Sequence, residues 1–203
     1  MFLNRYFITK IMIKTIIFDL GNVIVNVDWT DHYHRLAKDS KTTPKIAQKR
    51  FESDPVASVR KAFERGELKP IEFYRSIQNE LKLKMDFHEF KKIYCDIFTL
   101  NEKVAKIIKE LKNNFKLILL SNTDVLHFEY VRRNYKIIDY FDELVLSYRV
   151  GCRKPNPLIY LNMLSKAKSL PFNCAYFDDI PEFVLDARMM GIKAFQYTSF
   201  EKL

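Results

Sequence analysis

The chain has 203 residues and a formal charge of +9, with 48% apolar and 29% charged side chains. No stretch approaches the ~18 apolar residues a membrane-spanning helix needs, and the 17 Phe and 11 Tyr are enough for a sizeable core, so the length suits one compact α/β domain with an inserted subdomain. Lys and Arg are spread along helical segments rather than gathered in one run, so they read as solvated helix faces. Nucleic acid is therefore not the expected partner, although a positive field would attract phosphorylated small molecules.

In chain order, residues 1–14 are apolar but interrupted by Arg5, Lys10 and Lys14, with no small-residue cleavage site, which speaks against a secretory leader. Met12 directly precedes the first convincing strand, so residues 1–11 read as an extension outside the fold. A strand over about 14–19 runs into Asp19-Leu20-Gly21-Asn22-Val23, where Gly21 and Asn22 let the backbone turn sharply. Residues 29–112 then carry helical periodicity with no strand candidate of quality. Pro44, Pro55 and Pro70 sit where helices begin or the chain turns. This block is too large for one crossover helix and reads as a helical cap over 28–98, inserted into a core of 12–27 and 99–203.

A helix at 101–112 returns the chain to the sheet. Strands near 116–120, 143–147, 173–178 and 192–197 then alternate with helices near 124–134, 156–168 and 181–190. That alternation implies βαβ crossovers, a parallel sheet and a Rossmann-like, three-layer α/β core. Cys95, Cys152 and Cys174 are odd in number and widely spaced, which fits neither a disulfide framework nor a zinc site and points to a reducing cytoplasm.

In an open parallel sheet, ligands bind beyond the carboxyl ends of the strands. Asp19, Ser121, Asp178 and Asp179 all fall there, so one site can collect them beneath the helical block. Several carboxylates in one cleft repel unless a cation neutralises them, and Mg²⁺ with its preference for oxygen ligands is the simple answer. Lys154 adds a compact positive charge. Ser121 and the amides near Asn122 and Thr123 open a helix, which favours an anion. Carboxylate, divalent metal, lysine and helix terminus around one point suit phosphoryl transfer.

Four stretches together resemble the haloacid dehalogenase-like hydrolase superfamily: Ile16-Ile17-Phe18-Asp19-Leu20-Gly21-Asn22-Val23, Leu119-Leu120-Ser121-Asn122-Thr123, Arg153-Lys154-Pro155 and Phe177-Asp178-Asp179. Phe63-Glu64-Arg65-Gly66-Glu67-Leu68 in the insert and Gly151-Cys152 before the third motif look like the branch containing alpha-D-glucose-1-phosphate phosphatase. The resemblance implies a Mg²⁺-dependent phosphatase of a small phosphorylated metabolite, such as a sugar phosphate, working through an aspartyl-phosphate. It makes Asp19 nucleophile and metal ligand, with the Gly21 carbonyl, Asp179 and Asp178 completing the metal site. Ser121 and Asn122 would hold the phosphoryl group, and Lys154 would bridge nucleophile and phosphate. A metal-free haloacid dehalogenase and a catalytically silent binding module are the competing readings.

Two departures stand out. Most phosphatases of the superfamily resemble one another in a second Asp two residues after the nucleophile, as general acid and base; Gly21 stands there, and Asp28 is the candidate substitute. Glu182 stands where relatives often carry Asn. His127 is expected on a helix surface or at the core edge, and His32 and His34 on the surface. Trp29 and Tyr33 either line the cleft or pack at its hinge. The sequence leaves the oligomeric state open.

Overall fold

The computed structural model describes residues 12–199, so the expected extension over 1–11 lies outside the described residues. The chain opens with strand β1 (Thr15–Phe18), then β2 (Val25–Val27). Five helices follow: α1 (Thr30–Asp39), α2 (Pro44–Glu52), α3 (Val56–Glu64), α4 (Pro70–Leu81) and α5 (Phe87–Cys95). β3 (Phe98–Leu100) and α6 (Glu102–Leu111) lead back to β4 (Lys116–Ser121) and α7 (Val125–Asn134). β5 (Glu143–Leu146), the short α8 (Ser147–Val150), α9 (Pro157–Ala167), β6 (Cys174–Asp178), α10 (Pro181–Met189) and β7 (Lys193–Gln196) complete it.

Five strands form a parallel sheet in the order β5-β4-β1-β6-β7. Side chains alternate across a strand, so Ile16 and Phe18 join Leu117 and Leu119 on one face, against α6 and α7. Ile17 joins Ile118, Leu120 and Tyr176 on the other, against α9 and α10. Helices on both faces explain why the central strands β1, β4 and β6 are buried almost throughout rather than alternating. Central β1 is buried at every residue, and its carboxyl end opens directly onto Asp19.

Helices α1–α5 share their own apolar cluster, built on Leu36, Phe51, Phe63, Phe73, Ile77 and Phe90. Phe63 and Phe73 stack with centroids 4.2 Å apart and fix α3 against α4. Pro44 and Pro70 occupy the first turn of their helices, where a missing N–H costs nothing.

One expectation fails. β3 is a strand within the stretch that reads as wholly helical, and it pairs antiparallel with β2, Val25 opposite Leu100 and Val27 opposite Phe98. The chain thus leaves the sheet for α1–α5 and returns through a two-stranded ribbon. Each strand is three residues long, too short for a period of two to rise above a helical background. Among the described residues no helix is long and apolar enough to cross a membrane.

Candidate active site

The loop after β1 turns tightly. Asn22 N–H donates to the Val25 carbonyl at 2.6 Å, and Ile24 and Val25 N–H both donate to Leu20 O. Asn22, not Gly21, takes the left-handed conformation, with φ of 54°. Asparagine tolerates that region because its side chain bonds locally; here its Oδ1 accepts from Val27 N–H at 3.2 Å. Its Nδ2 donates to Asp179 Oδ2 at 3.1 Å, a contact the sequence reading did not anticipate.

Asp19, Asp178 and Asp179 converge as expected, each offering one oxygen within 4.8 Å of the others. Asp178 ends β6 and is wholly buried, Asp19 is nearly so, and Asp179 is half-buried. Lys154, only 2% exposed, sits among them. Its Nζ donates to Asp19 Oδ1 and Asp178 Oδ2, both at 2.6 Å, and to Tyr176 Oη at 3.0 Å. A buried ammonium requires such partners. Tyr176 Oη also donates to Asp178 Oδ2, whose Oδ1 accepts from Ile180 N–H at 2.8 Å. Nothing in the sequence separates Tyr176 from an ordinary apolar strand residue; its role follows from standing two positions before Asp178 on one face of β6.

Burial pushes the Asp19 carboxyl up to about 7; Lys154 pulls it back, while Asp178 and then Asp179 push it further up. Burial likewise raises Asp179, against its Asn22 hydrogen bond. Burial works against the Lys154 ammonium, yet Asp19 and Asp178 hold its pKa above the ordinary value. One lysine shared among three carboxylates leaves negative charge uncompensated. Three hard oxygen ligands at this spacing fit Mg²⁺.

Ser121 closes β4, buried at the sheet edge nearest this cluster. The Asn122 side chain bonds the Lys154 backbone: its Nδ2 donates to Lys154 O at 2.9 Å and its Oδ1 accepts from Lys154 N–H at 2.7 Å. This two-way clamp carries the lysine's backbone to the site. The helix opening is also less free than the sequence suggests. Thr123 N–H donates to Ser147 Oγ, and Leu126 and His127 N–H donate to buried Asp124, which caps α7. Asp124, a residue the sequence reading passed over, also accepts from Tyr94 Oη at 2.9 Å.

His127 is at the core edge as expected, with Nδ1 2.9 Å from Asp124 Oδ2 and Nε2 2.9 Å from Tyr94 O. His34 is exposed as expected, but His32 is not: it is 1% exposed, ringed by Trp29, Phe51 and Tyr94, because its face of α1 turns inward. Asp28 is exposed and caps Thr30, whose hydrogen bonds hold its carboxyl low. A carboxyl held low is a poor proton donor. Glu182 stands exposed in the first turn of α10, outside the carboxylate cluster.

Between the carboxyl end of the sheet and α3 lies a cavity of about 140 Å³, lined by Gly21, Ser121–Thr123, His127, Trp29, Arg60 and Glu64 among others. Trp29 therefore faces the cleft; Tyr33 does not, and donates instead to Glu52 at 2.8 Å. A larger groove of about 350 Å³ between α5 and α7 lacks the carboxylate cluster.

A D-ribitol-5-phosphate phosphatase of Bacteroides thetaiotaomicron is 26% identical over 192 residues, covering 91% of this chain and 92% of that protein. A HAD-family enzyme of the same organism, solved with magnesium and inorganic phosphate, superposes with a TM-score of 0.82 at 23% identity, covering 92% and 94% of the two chains. An L-2-haloacid dehalogenase from Xanthobacter autotrophicus, with chloropropionic acid covalently bound, shares the fold at a TM-score of 0.67 and 16% identity, over 91% and 77%. The match to the haloacid dehalogenase-like hydrolase family spans residues 13–187, from β1 through α10, and so takes in all four motifs gathered around Lys154. With that span and that arrangement, the chain belongs to the haloacid dehalogenase-like hydrolases.

Proposed function

We propose that this hydrolase is a Mg²⁺-dependent phosphatase of a small phosphorylated sugar or polyol. The observation that carries the reading is the Lys154 ammonium, 2.6 Å from both Asp19 and Asp178, with Asp179 completing a three-carboxylate cluster. Metal-free displacement of a halide gives that cluster no task. The name of the Bacteroides relative supports a polyol or sugar phosphate as substrate.

Asp19, Asp178, Asp179 and the Gly21 carbonyl would hold the metal, which when bound supplies positive charge to offset phosphate–carboxylate repulsion. The Asp19 carboxylate attacks phosphorus and the leaving oxygen departs, giving an aspartyl-phosphate that water then cleaves at phosphorus. Lys154 stabilises charge on the transferring oxygens. Tyr176 and the Asn122 clamp hold Lys154 in place, and Ser121 receives the phosphoryl group. With Gly21 in place of an acid, the loop 20–24 after Asp19 supplies no general acid. Esters with good leaving groups should therefore react fastest, because proton donation is worth about 10²–10⁴-fold.

We further assign residues 28–98 as a cap over this site, with 12–27 and 99–203 as the core. The boundary at 98 cuts into β3, which makes the β2–β3 ribbon the hinge region. The three unpaired cysteines support a reducing, cytoplasmic setting.

Phosphate release from acetyl phosphate and alkyl phosphates in Mg²⁺ tests the assignment. Turnover is expected to stop with EDTA and to fall to background in Asp19→Asn. Chelator-resistant halide release from a haloacid would instead establish the dehalogenase reading.

A further inference from the structure

The cavity beyond the carboxylate cluster has a wall that phosphate chemistry does not require. Arg60 and Glu64 stand four residues apart on α3 and so share one helix face; both line the cavity opposite Ser121–Thr123. Arg60 is held in place: its guanidinium lies 4.7 Å from the Phe51 ring centroid and 5.2 Å from that of Trp29. Its Nε is nevertheless buried without a hydrogen-bond partner among the described residues. That unmatched nitrogen costs free energy, so Arg60 is kept at the cavity wall by the two aromatic rings rather than by a hydrogen bond from its Nε. Glu64 is anchored by an ion pair with Arg153, the residue before Lys154, so α3 is fastened to the same loop that delivers the site lysine.

Resting on the phosphatase reading, we propose that Arg60 is a specificity-determining residue that binds the hydroxyl groups of a short, uncharged polyol tail on the substrate. The Arg60 fork donates to hydroxyl oxygens, the Glu64 carboxylate accepts a hydrogen bond from a hydroxyl, and Trp29 packs against the C–H groups. Size sets the upper limit. A cavity of about 140 Å³ is close to one of ~150 Å³ that takes up benzene. A tail of a few carbons fits there, and a nucleoside does not.

The test is steady-state kinetics in Mg²⁺ on acetyl phosphate, glycerol phosphate, a pentitol phosphate, phosphoglycolate and a nucleoside monophosphate, for wild type, Arg60→Met and Arg60→Lys. Wild type should prefer the two polyol phosphates to phosphoglycolate and the nucleotide. Arg60→Met should lower the ratio of kcat/KM for pentitol phosphate over acetyl phosphate by about tenfold or more, the scale of one lost charge-assisted hydrogen bond. Arg60→Lys keeps the charge without the fork and should fall between; it also guards against a folding defect in the methionine variant. An unchanged ratio in both variants, or a preference for phosphoglycolate or the nucleotide, overturns the proposal while leaving the phosphatase reading intact. A wild type that turns over none of the five, acetyl phosphate included, overturns both.

Discussion

At Gly21 the interplay of space and chemistry is sharpest. The residue does not need glycine for its backbone: the left-handed turn belongs to Asn22. A Cβ built at Gly21 would meet Val27 Cγ2 at 3.6 Å and Asp19 Oδ2 at 3.9 Å, both ordinary contacts. Gly21→Asp is therefore expected to fold and to place a carboxyl beside the proposed nucleophile, supplying the proton donor that this loop lacks. Its kcat for an alkyl phosphate should rise about tenfold or more, while acetyl phosphate, whose leaving group needs little help, should change much less. Gly21→Asn, equal in size without a titratable proton, is the comparison; an equal gain there would remove general acid catalysis as the cause. At this scale the sequence was informative about types and poor about partners. Four motifs bring Asp19, Lys154, Asp178 and Asp179 together by order along the chain. That Asn122 would clamp the Lys154 backbone, or that Tyr176 would reach Lys154, depends on register across β4 and β6 and leaves no local pattern.

Among the elements, α3 joins the helical block to the site. Past its end Gly66 takes φ of +74°, and a Cβ there would lie 2.3 Å from the Tyr148 carbonyl oxygen of α8. Backbone approaches backbone at this seam, just where Glu64 pairs with Arg153. Gly66→Ala should then incur both the left-handed penalty and an overpacking cost, about 2–5 kcal/mol together. Gly151→Ala has a similar φ of +80° with nothing within 4 Å of the added Cβ, and should lose only the conformational part, about 1–2 kcal/mol. Denaturant unfolding of the two variants separates the terms; equal losses would mean the seam yields without cost. The elements themselves were largely readable, because most of the sheet strands are apolar runs and the later helices carry clear turn signals. The β2–β3 ribbon was not, since three-residue strands are defined by their pairing rather than by a pattern of their own. His32 departs from expectation for a related reason: a histidine near a helix start looks exposed until Phe51 and Tyr94, distant in sequence, close over it.

Across the whole molecule, that same histidine ties stability to pH. His32 Nδ1 faces the Ile93 carbonyl at 3.3 Å, while its Nε2 is buried without a partner among the described residues. The neutral ring with its proton on Nδ1 satisfies this arrangement. Burial lowers the His32 pKa from 6.5 to about 3; the Ile93 hydrogen bond acts the other way, and His127 and Arg60 add smaller lowering contributions. Between those values the unfolded chain binds a proton that the folded chain refuses, so stability is complete above the unfolded pKa and falls as the pH drops below it. Each unit below it costs up to ~1.4 kcal/mol. His32→Phe keeps an aromatic ring among Trp29, Phe51 and Tyr94 and removes the titration. Urea unfolding between about pH 7 and pH 5 should therefore show a steeper loss for wild type than for His32→Phe, with the difference opening below the pKa of a free histidine. Parallel pH profiles for the two proteins would mean that His32 charges without unfolding the aromatic cluster around it, and that the helical block opens locally to admit water at mildly acidic pH.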